Sequence, residues 1–209
     1  MSFDEIASRE MENICRYESK LSQIDFLSES KKDTVNRINK IRVKGSLDFL
    51  YKMREYVKVL EQTLVHFSSF IIGDYVIESE VMKKWYNGIF VKEPLFVRLD
   101  KIGDRIADMY EEEKKIVFTL VERNKIKGSI RKMAATNNVL ILYKKFIERI
   151  KCEYSELEND SIDENFLLYE DVFPVILLNL MLNHKRKKQF GKIKHIIVDE
   201  MQDYTMVQY

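Results

Sequence analysis

The chain has 209 residues, of which 45% are hydrophobic and 33% are charged, a composition typical of a folded protein with one large or two small domains. Its 35 basic and 34 acidic side chains leave a net charge of +1. Overall charge therefore gives no reason to expect nucleic-acid binding, which would have to depend on local basic patches. The two cysteines and three histidines are scattered, and we find no signal peptide and no apolar run long enough to span a membrane. We therefore expect a soluble cytoplasmic protein without a zinc site.

In the first third of the chain, apolar side chains recur every three to four residues, which is the period of an α-helix. This pattern predicts three helices, over residues 3–21, from about 30 to 41, and from Leu47 to about Phe67. Ser46 follows a break at Gly45 and has the side chain of a good N-cap for the third helix.

Residues 68–98 are the least helical part of the sequence. Two β-prone runs around Gly73-Asp74 predict a hairpin, and residues 78–86 predict one short helix. The segments on either side of Pro94 predict a small hairpin or extended loops. Aromatic side chains in this part either fill the core of a small domain or form an exposed surface for a partner. They are Trp85, Tyr86, Phe90 and Phe96.

The middle of the chain predicts two further helices, over 99–123 and from Ser129 to about Cys152. We expect the apolar residues near the end of the first to be buried, namely Ile116, Val117, Leu120 and Val121. Residues 123–132 hold five basic residues and no acidic one. This stretch either contacts phosphates, with Gly128-Ser129 opening a helix N-terminus toward an anion, or is an ordinary basic helix surface.

The last part of the chain predicts a linker, a helix and a strand. Residues 153–164 are acidic and polar, as is typical of a domain boundary. An apolar helix over 166–182 follows, in which Pro174 is either an N1 residue or a kink. Residues 196–198 are all β-branched and predict a short strand buried in a parallel sheet.

Four polar residues follow this predicted strand, namely Asp199, Glu200, Gln202 and Asp203. In open α/β sheets, ligands lie beyond the carboxyl ends of the strands. There Asp199 can hold Mg²⁺ or its water shell, and Glu200 can orient an attacking water. Gln202 can hydrogen-bond a γ-phosphate or that water, and Asp203 can help to anchor a nucleotide pocket. The alternative is a strand that ends in a solvated acidic turn.

The run from Asp199 to Tyr204, with Gln208 after it, resembles the Walker B element, or motif II, of superfamily 1 helicases of the UvrD/Rep class. This resemblance implies an ATP-dependent helicase or translocase in which Asp199 binds Mg²⁺ and Glu200 is the catalytic base. It also implies that Gln202 couples the state of the γ-phosphate to movement of the motor domains. Met201 stands where the family usually has a small residue.

The other half of an ATP site is missing from the sequence. None of the six glycines belongs to a G-x-x-x-x-G-K-[ST] phosphate-binding loop, and no arginine-finger motif of a second motor domain is present. We therefore expect a piece of a helicase-like protein that needs the remainder of the motor domains to hydrolyse ATP.

Two further stretches resemble the HelD branch of these helicases. They are 44–49, similar to its Lys-x-Ser-x-x-Phe element, and 168–174, similar to its segment before motif II. This resemblance implies a mainly α chain in which a helical insertion domain is attached to a partial α/β RecA-like (P-loop NTPase) domain. The insertion would cover 31–160, and motor domain 1A would be formed by 1–30 and 161–209.

The HelD resemblance also implies DNA or RNA and RNA polymerase as partners, with ATP and Mg²⁺ as cofactors of the larger protein. A different hypothesis is a non-catalytic helical module that docks on RNA polymerase or DNA, in which motif II has no role. A third, an acidic-site nuclease, lacks a second carboxylate cluster for a two-metal site.

Overall fold

The computed structural model describes residues 3–18, 31–183 and 205–207, and these residues are mainly helical. Eight α-helices lie in the described ranges: α1 (Phe3–Met11), α2 (Lys31–Lys44), α3 (Leu47–Thr63), α4 (Ser79–Lys84), α5 (Leu95–Lys114), α6 (Leu120–Arg131), α7 (Val139–Ile150) and α8 (Tyr169–Asn183). The strands there are β1 (Arg16–Tyr17), β2 (Phe70–Ile72), β3 (Tyr75–Ile77) and β4 (Phe166–Leu167). None of the described helices combines the length and the apolar character that crossing a membrane requires.

The chain divides into two compact units. Unit 1 consists of Met1–Val57, Asn138–Leu180 and Lys192–Tyr209, and unit 2 of Lys58–Asn137 and Met181–Gly191. The division predicted from the sequence, after residues 30 and 160, places both boundaries inside unit 1. The assignment of the segments to a motor domain and an insertion stays a prediction.

The core of unit 1 is built where the first part of α3 meets α7. Phe49 and Phe146 meet edge to face with ring centroids 5.2 Å apart, and the Tyr56 hydroxyl donates a hydrogen bond of 3.0 Å to the Leu142 carbonyl. Ser46 caps α3 as predicted, because its Oγ accepts a hydrogen bond of 3.2 Å from the Phe49 amide. α3 therefore begins at a defined residue directly after the Gly45 break.

The predicted first helix is too long. α1 ends at Met11, and Arg16 and Tyr17 instead pair in parallel with Phe166 and Leu167. This tertiary pairing overrides the helical periodicity of a stretch whose apolar face is already interrupted near Arg9.

The predicted linker is also wrong in part. Two short 3₁₀ helices, Lys151–Glu153 and Ser155–Leu157, are followed by irregular chain, and Leu157, Asp160 and Ile162 are buried within unit 1. Pro174 lies inside α8, which begins at Tyr169, so it is not an N1 residue.

In unit 2 the predicted hairpin is confirmed. β2 and β3 pair antiparallel around Gly73, which has φ +59° and lies so close to Tyr110 that an added Cβ would be 2.5 Å from its hydroxyl oxygen. The prediction of a small hairpin or extended loops around Pro94 is wrong, since Pro94 is the N-cap of α5. Trp85, Tyr86 and Phe96 are buried, which confirms that they fill a core.

The predicted helices over 99–123 and 129–152 are in fact three. α5 ends at Lys114, where Lys115 takes the left-handed conformation with φ +52°, and α6 then returns along α5 as an antiparallel hairpin. α7 is a separate helix in unit 1, capped by Asn138. Ser129 lies near the end of α6 and its hydroxyl donates to the Lys125 carbonyl, so it opens no helix N-terminus toward an anion.

Candidate functional site

The residues of the predicted nucleotide site lie outside the described residues. They are Asp199, Glu200, Gln202 and Asp203, together with the strand predicted before them. Directly after them, Thr205–Val207 is described. The Met206 amide donates a hydrogen bond of 3.1 Å to the Gly45 carbonyl, and Val207 is buried in unit 1. The segment that follows the acidic motif thus lies against the break between α2 and α3.

A buried cluster of charges lies next to this break. The Lys44 ammonium is 2.5 Å from Oδ1 of Asp171 and 2.6 Å from Oδ2 of Asp160, and only 1% of the Lys44 side chain is exposed. Lys40 binds the other oxygen of Asp160 at 2.7 Å, and the Tyr143 hydroxyl donates a hydrogen bond of 2.6 Å to Asp171. Two ammonium groups and two carboxylates make the cluster neutral.

The electrostatics of the cluster keep Lys44 charged. Burial lowers the pKa of Lys44, but Asp171 and Asp160 outweigh burial and raise it above the ordinary value. For Asp160, burial raises the pKa, and Lys44 and Lys40 outweigh this and lower it. The pKa of Asp171 is raised because burial outweighs Lys44 and the Tyr143 hydroxyl. Burial and Asp171 raise the pKa of Tyr143, so its hydroxyl stays a donor.

A second set of ion pairs ties the N-terminal segment to α2 and α8. The Arg37 guanidinium pairs with Glu18 and, at 2.9 Å, with Glu170, and the Glu18 carboxylate also accepts a hydrogen bond of 3.0 Å from the Tyr169 amide. The Arg37 pairing and this amide together hold the pKa of Glu18 below its ordinary value, although burial acts in the opposite direction. These contacts bring residues 18, 37 and 170 to one place in unit 1.

The side chains of both clusters pair with one another and so connect segments of unit 1. The sequence analysis did not predict these ion pairs. The sequence predicts Asp160 in an acidic, polar linker, and Lys44 as the first residue of the stretch that resembles a HelD element. The available signal was that Lys40 and Lys44 lie four residues apart, so both face one side of α2. Among the described residues, no group of three or more His, Cys, Asp or Glu side chains could hold a metal ion.

The basic stretch over 123–132 is used inside the hairpin of α5 and α6. Three of its cations pair with acidic side chains of α5, in antiparallel order. Arg123 binds Asp108 at 2.7 Å, and Lys127 binds Asp104 at 2.7 Å. Arg131 binds Asp100 at 2.6 Å. Because these cations are neutralised within unit 2, the structure favours an ordinary helix surface over a phosphate-binding patch.

The connection between α5 and α6 forms an apolar tip, which we define as Ile116, Val117, Leu120 and Val121. Their exposed fractions are 43%, 89%, 72% and 64%, so the prediction that they are buried is wrong. The helix itself does not continue through Lys115, where the chain turns, and the apolar side chains beyond it therefore miss the core.

Hydrogen bonds, an ion pair and a ring contact link the apolar tip to the two helices. The Glu111 carboxylate accepts a hydrogen bond of 2.6 Å from the Phe118 amide and pairs with the Arg123 guanidinium. Thr119 and Glu122 form a capping box at the start of α6. The rings of Tyr110 and Phe118 stack with centroids 5.6 Å apart.

Comparisons of the chain with models of protein families, with curated proteins and with solved structures found no match.

Proposed function

We propose that this chain is part of an ATP-dependent superfamily 1 helicase-like protein close to the HelD branch. It would couple ATP hydrolysis to movement on DNA or RNA, or to remodelling of RNA polymerase. The observation that carries the proposal is motif II, in which Asp199, Glu200 and Gln202 stand in order after a β-branched run. Under this proposal, motif II lies in a partial RecA-like domain to which the helical insertion is attached.

Each motif residue then has a defined task. Bound Mg²⁺-ATP supplies the phosphoanhydride bond that is hydrolysed. Asp199 would hold the metal ion through a carboxylate oxygen, the kind of ligand that Mg²⁺ prefers. Glu200 would accept a proton from the attacking water, and Gln202 would hydrogen-bond the γ-phosphate or that water. Asp203 helps to anchor the nucleotide pocket.

Two contacts of the described residues support the proposal. The two stretches that resemble HelD elements, 44–49 and 168–174, are more than a hundred residues apart in sequence. They are joined by the ion pair between Lys44 and Asp171, at 2.5 Å and almost fully buried. The Gly45 carbonyl in the first stretch also accepts the hydrogen bond from Met206, just after motif II. The two stretches therefore meet in unit 1, and the described segment directly after motif II contacts the first of them.

The proposal is tested by Mg²⁺-dependent ATP hydrolysis, measured for this chain and for a longer protein that also carries the P-loop. We expect turnover by the longer protein only, and a decrease of roughly 100-fold or more in Glu200→Gln. Asp199→Ala is expected to weaken the dependence on Mg²⁺. Glu112→Gln, which changes an exposed carboxylate in unit 2, is the matched control and is expected to hydrolyse ATP at the wild-type rate.

Two results would contradict the proposal. ATP turnover by this chain alone, abolished in Glu200→Gln, would mean that a phosphate cradle exists within the 209 residues. Turnover by the longer protein that is unchanged in Glu200→Gln would mean that motif II has no catalytic role.

A second candidate function is a helical binding module, and the apolar tip favours it. Exposed apolar side chains on a hydrogen-bonded connection are typical of a surface that binds another protein. Arg123, Lys127 and Arg131 are neutralised by their ion pairs with acidic side chains of α5. This neutralisation argues against DNA as the partner of this hairpin. RNA polymerase is therefore the partner to test first under this hypothesis.

This candidate is tested by measuring the affinity of the chain for purified RNA polymerase and for duplex DNA. In Val117→Ser/Leu120→Ser we expect the Kd for the polymerase to rise roughly 10-fold or more, because buried apolar anchors dominate such interfaces. The matched control is Ile71→Ser, an exposed apolar residue of β2. Asp199→Ala/Glu200→Ala is expected to bind like the wild type. Equal affinity of the tip variant and the control would exclude the apolar tip as the binding surface.

A further inference from the structure

The edge of β2 that faces away from β3 is open among the described residues. Ile72 and Tyr75 close the two-residue turn of the hairpin, so they are a hydrogen-bonded pair, and the two kinds of pair alternate along antiparallel strands. Ile71 and Val76 are therefore a non-hydrogen-bonded pair, whose main-chain N–H and C=O groups point outward. No described residue forms a main-chain hydrogen bond to these groups of Ile71. β2 thus presents an unused donor and an unused acceptor.

A groove of about 630 Å³ borders β2. Residues 68–71 form one wall and residues 132–135, directly after α6, form the other, and no residue of β3 lines the groove. An antiparallel main-chain bridge between Val65 and Ala134 joins the second wall to the segment that leads into β2. The groove is therefore held open by main-chain pairing within unit 2.

β2 lacks the features by which exposed edge strands usually avoid pairing with another chain. Residues 68–72 contain no charged side chain and no proline, and the Ile71 side chain is 66% exposed. Such an edge is a template for a further strand. A peptide that pairs with it gains main-chain hydrogen bonds from the edge and side-chain contacts from the groove.

The charge of the groove selects the kind of peptide. No carboxylate lines the groove, whereas Lys132 in its second wall is exposed. Unlike Arg131, which binds Asp100, Lys132 forms no ion pair with a described residue. An acidic side chain of a peptide in the groove would supply the missing partner.

We propose that the β2 edge binds an extended acidic peptide of a partner protein, which adds a third strand to the hairpin. The main-chain groups of Ile71 pair with the peptide, and a peptide carboxylate lies beside Lys132. Because β2 has only three residues, we expect a Kd of about 10–100 μM. This binding site uses neither motif II nor the apolar tip, so its test is independent of the proposed function.

The probes are synthetic peptides, obtained by selecting a random peptide library on this chain and measured by fluorescence polarisation. We expect selected sequences in which β-branched or aromatic residues alternate with other residues and an Asp or Glu is present. Ile71→Pro removes the outward N–H without removing a hydrogen bond to β3, and should weaken binding at least 10-fold. Val76→Pro makes the same change at the opposite edge of the hairpin and is the matched control, which should bind like the wild type.

Two further variants separate main-chain pairing from other contacts. Ile71→Thr keeps the N–H and a β-branched side chain, and should bind within about 3-fold of the wild type. Lys132→Glu should weaken binding roughly 3- to 10-fold at low salt, because it reverses the charge beside the peptide carboxylate. Lys125→Glu, which changes an exposed cation of α6 outside the groove, should have no effect.

Amide hydrogen exchange of the wild type locates the bound peptide even if Ile71→Pro does not fold. A saturating peptide should slow exchange of the Ile71 amide at least 10-fold and leave the Val76 amide unchanged. Equal slowing of both amides, no slowing of Ile71, or equal peptide affinities of Ile71→Pro and Val76→Pro would overturn the proposal. A library that yields no binding peptide would also overturn it. Dimerisation of the chain in analytical ultracentrifugation that Ile71→Pro abolishes would show that a second copy, and not a partner's peptide, occupies the edge.

Discussion

Replacing Lys44 by Met tests whether the buried cluster holds unit 1 together. Lys44 has two carboxylate partners, Asp171 and Asp160, and its removal affects them differently. Asp160 keeps Lys40 at 2.7 Å, whereas among the described residues Asp171 keeps only the hydroxyl of Tyr143. The uncompensated carboxylate is therefore that of Asp171. Removing one partner of a buried ion pair costs about 3–5 kcal/mol, and we expect Lys44→Met to lower the free energy of unfolding by about 3 kcal/mol at pH 7.

The same variant has a predicted pH dependence. Burial already raises the pKa of Asp171, and Lys44 opposes that rise, so loss of Lys44 raises this pKa further. A carboxylate whose pKa is higher in the folded state binds a proton more tightly there. The stability of Lys44→Met relative to the wild type should therefore be best below about pH 4 and fall as the pH rises through the folded-state pKa of Asp171.

The assay is urea unfolding followed by far-ultraviolet circular dichroism between pH 4 and pH 8. Lys144→Met is the matched control, since Lys144 also lies in unit 1 but forms a half-exposed pair with Glu164 at 3.5 Å. Such pairs contribute at most about 1 kcal/mol. A loss in Lys44→Met no larger than that of Lys144→Met, or a loss that is larger at pH 4 than at pH 8, would refute the reasoning.

Three further predictions concern single residues. Gly103→Ala should destabilise unit 2 by about 1–3 kcal/mol, because the added Cβ would lie 2.9 Å from Lys127 Cα. Gly128→Ala, whose Cβ meets no atom within 4 Å, should be neutral or stabilising. Equal melting temperatures of the two variants would contradict this prediction. Burial raises the pKa of Tyr56 to about 12, so stability should fall as the pH rises from 10 toward 12, and less so in Tyr56→Phe, as followed by circular dichroism. Leu120→Ser should change the free energy of unfolding by less than about 0.5 kcal/mol in urea titrations, since Leu120 is exposed; a loss above about 2 kcal/mol would mean that it is buried.

Features set by local chemistry were predictable from the sequence. Ser46 caps α3 because a hydroxyl before an apolar-periodic run can accept a hydrogen bond from the third helical amide. The hairpin at Gly73 was predictable because its left-handed backbone conformation suits glycine. In both cases the determining residues lie within a few positions of each other.

Features set by tertiary contacts were not predictable in the same way. No glycine or proline marks the end of α5 at Lys114 in the sequence, and the apolar periodicity of the sequence continues through Val117 and Leu120. The series of ion pairs between α5 and α6 is indicated in the sequence, since Asp100, Asp104 and Asp108 repeat every four residues. Three cations spaced likewise follow in α6, and matching the two series would have predicted an antiparallel pair.

The position of Asp160 shows the same limitation at the candidate site. Its neighbours in sequence are polar, so their composition predicted an acidic, polar linker at a domain boundary. Its actual environment is decided by Lys40 and Lys44, which lie more than a hundred residues earlier in the chain. A buried carboxylate of this kind can be recognised only when its partner is known.

A last prediction separates two roles of the cluster, stability and position. A buried ion pair often contributes little net stability compared with apolar residues of similar volume. Lys44→Met/Asp171→Leu should therefore be more stable than Lys44→Met, because it removes the uncompensated carboxylate. If the ion pair also fixes the Gly45 turn, the Met206 amide should exchange faster in the double variant than in the wild type, although unit 1 is folded. Wild-type protection of Met206 in that variant would mean that the charges stabilise unit 1 without positioning the segment after motif II.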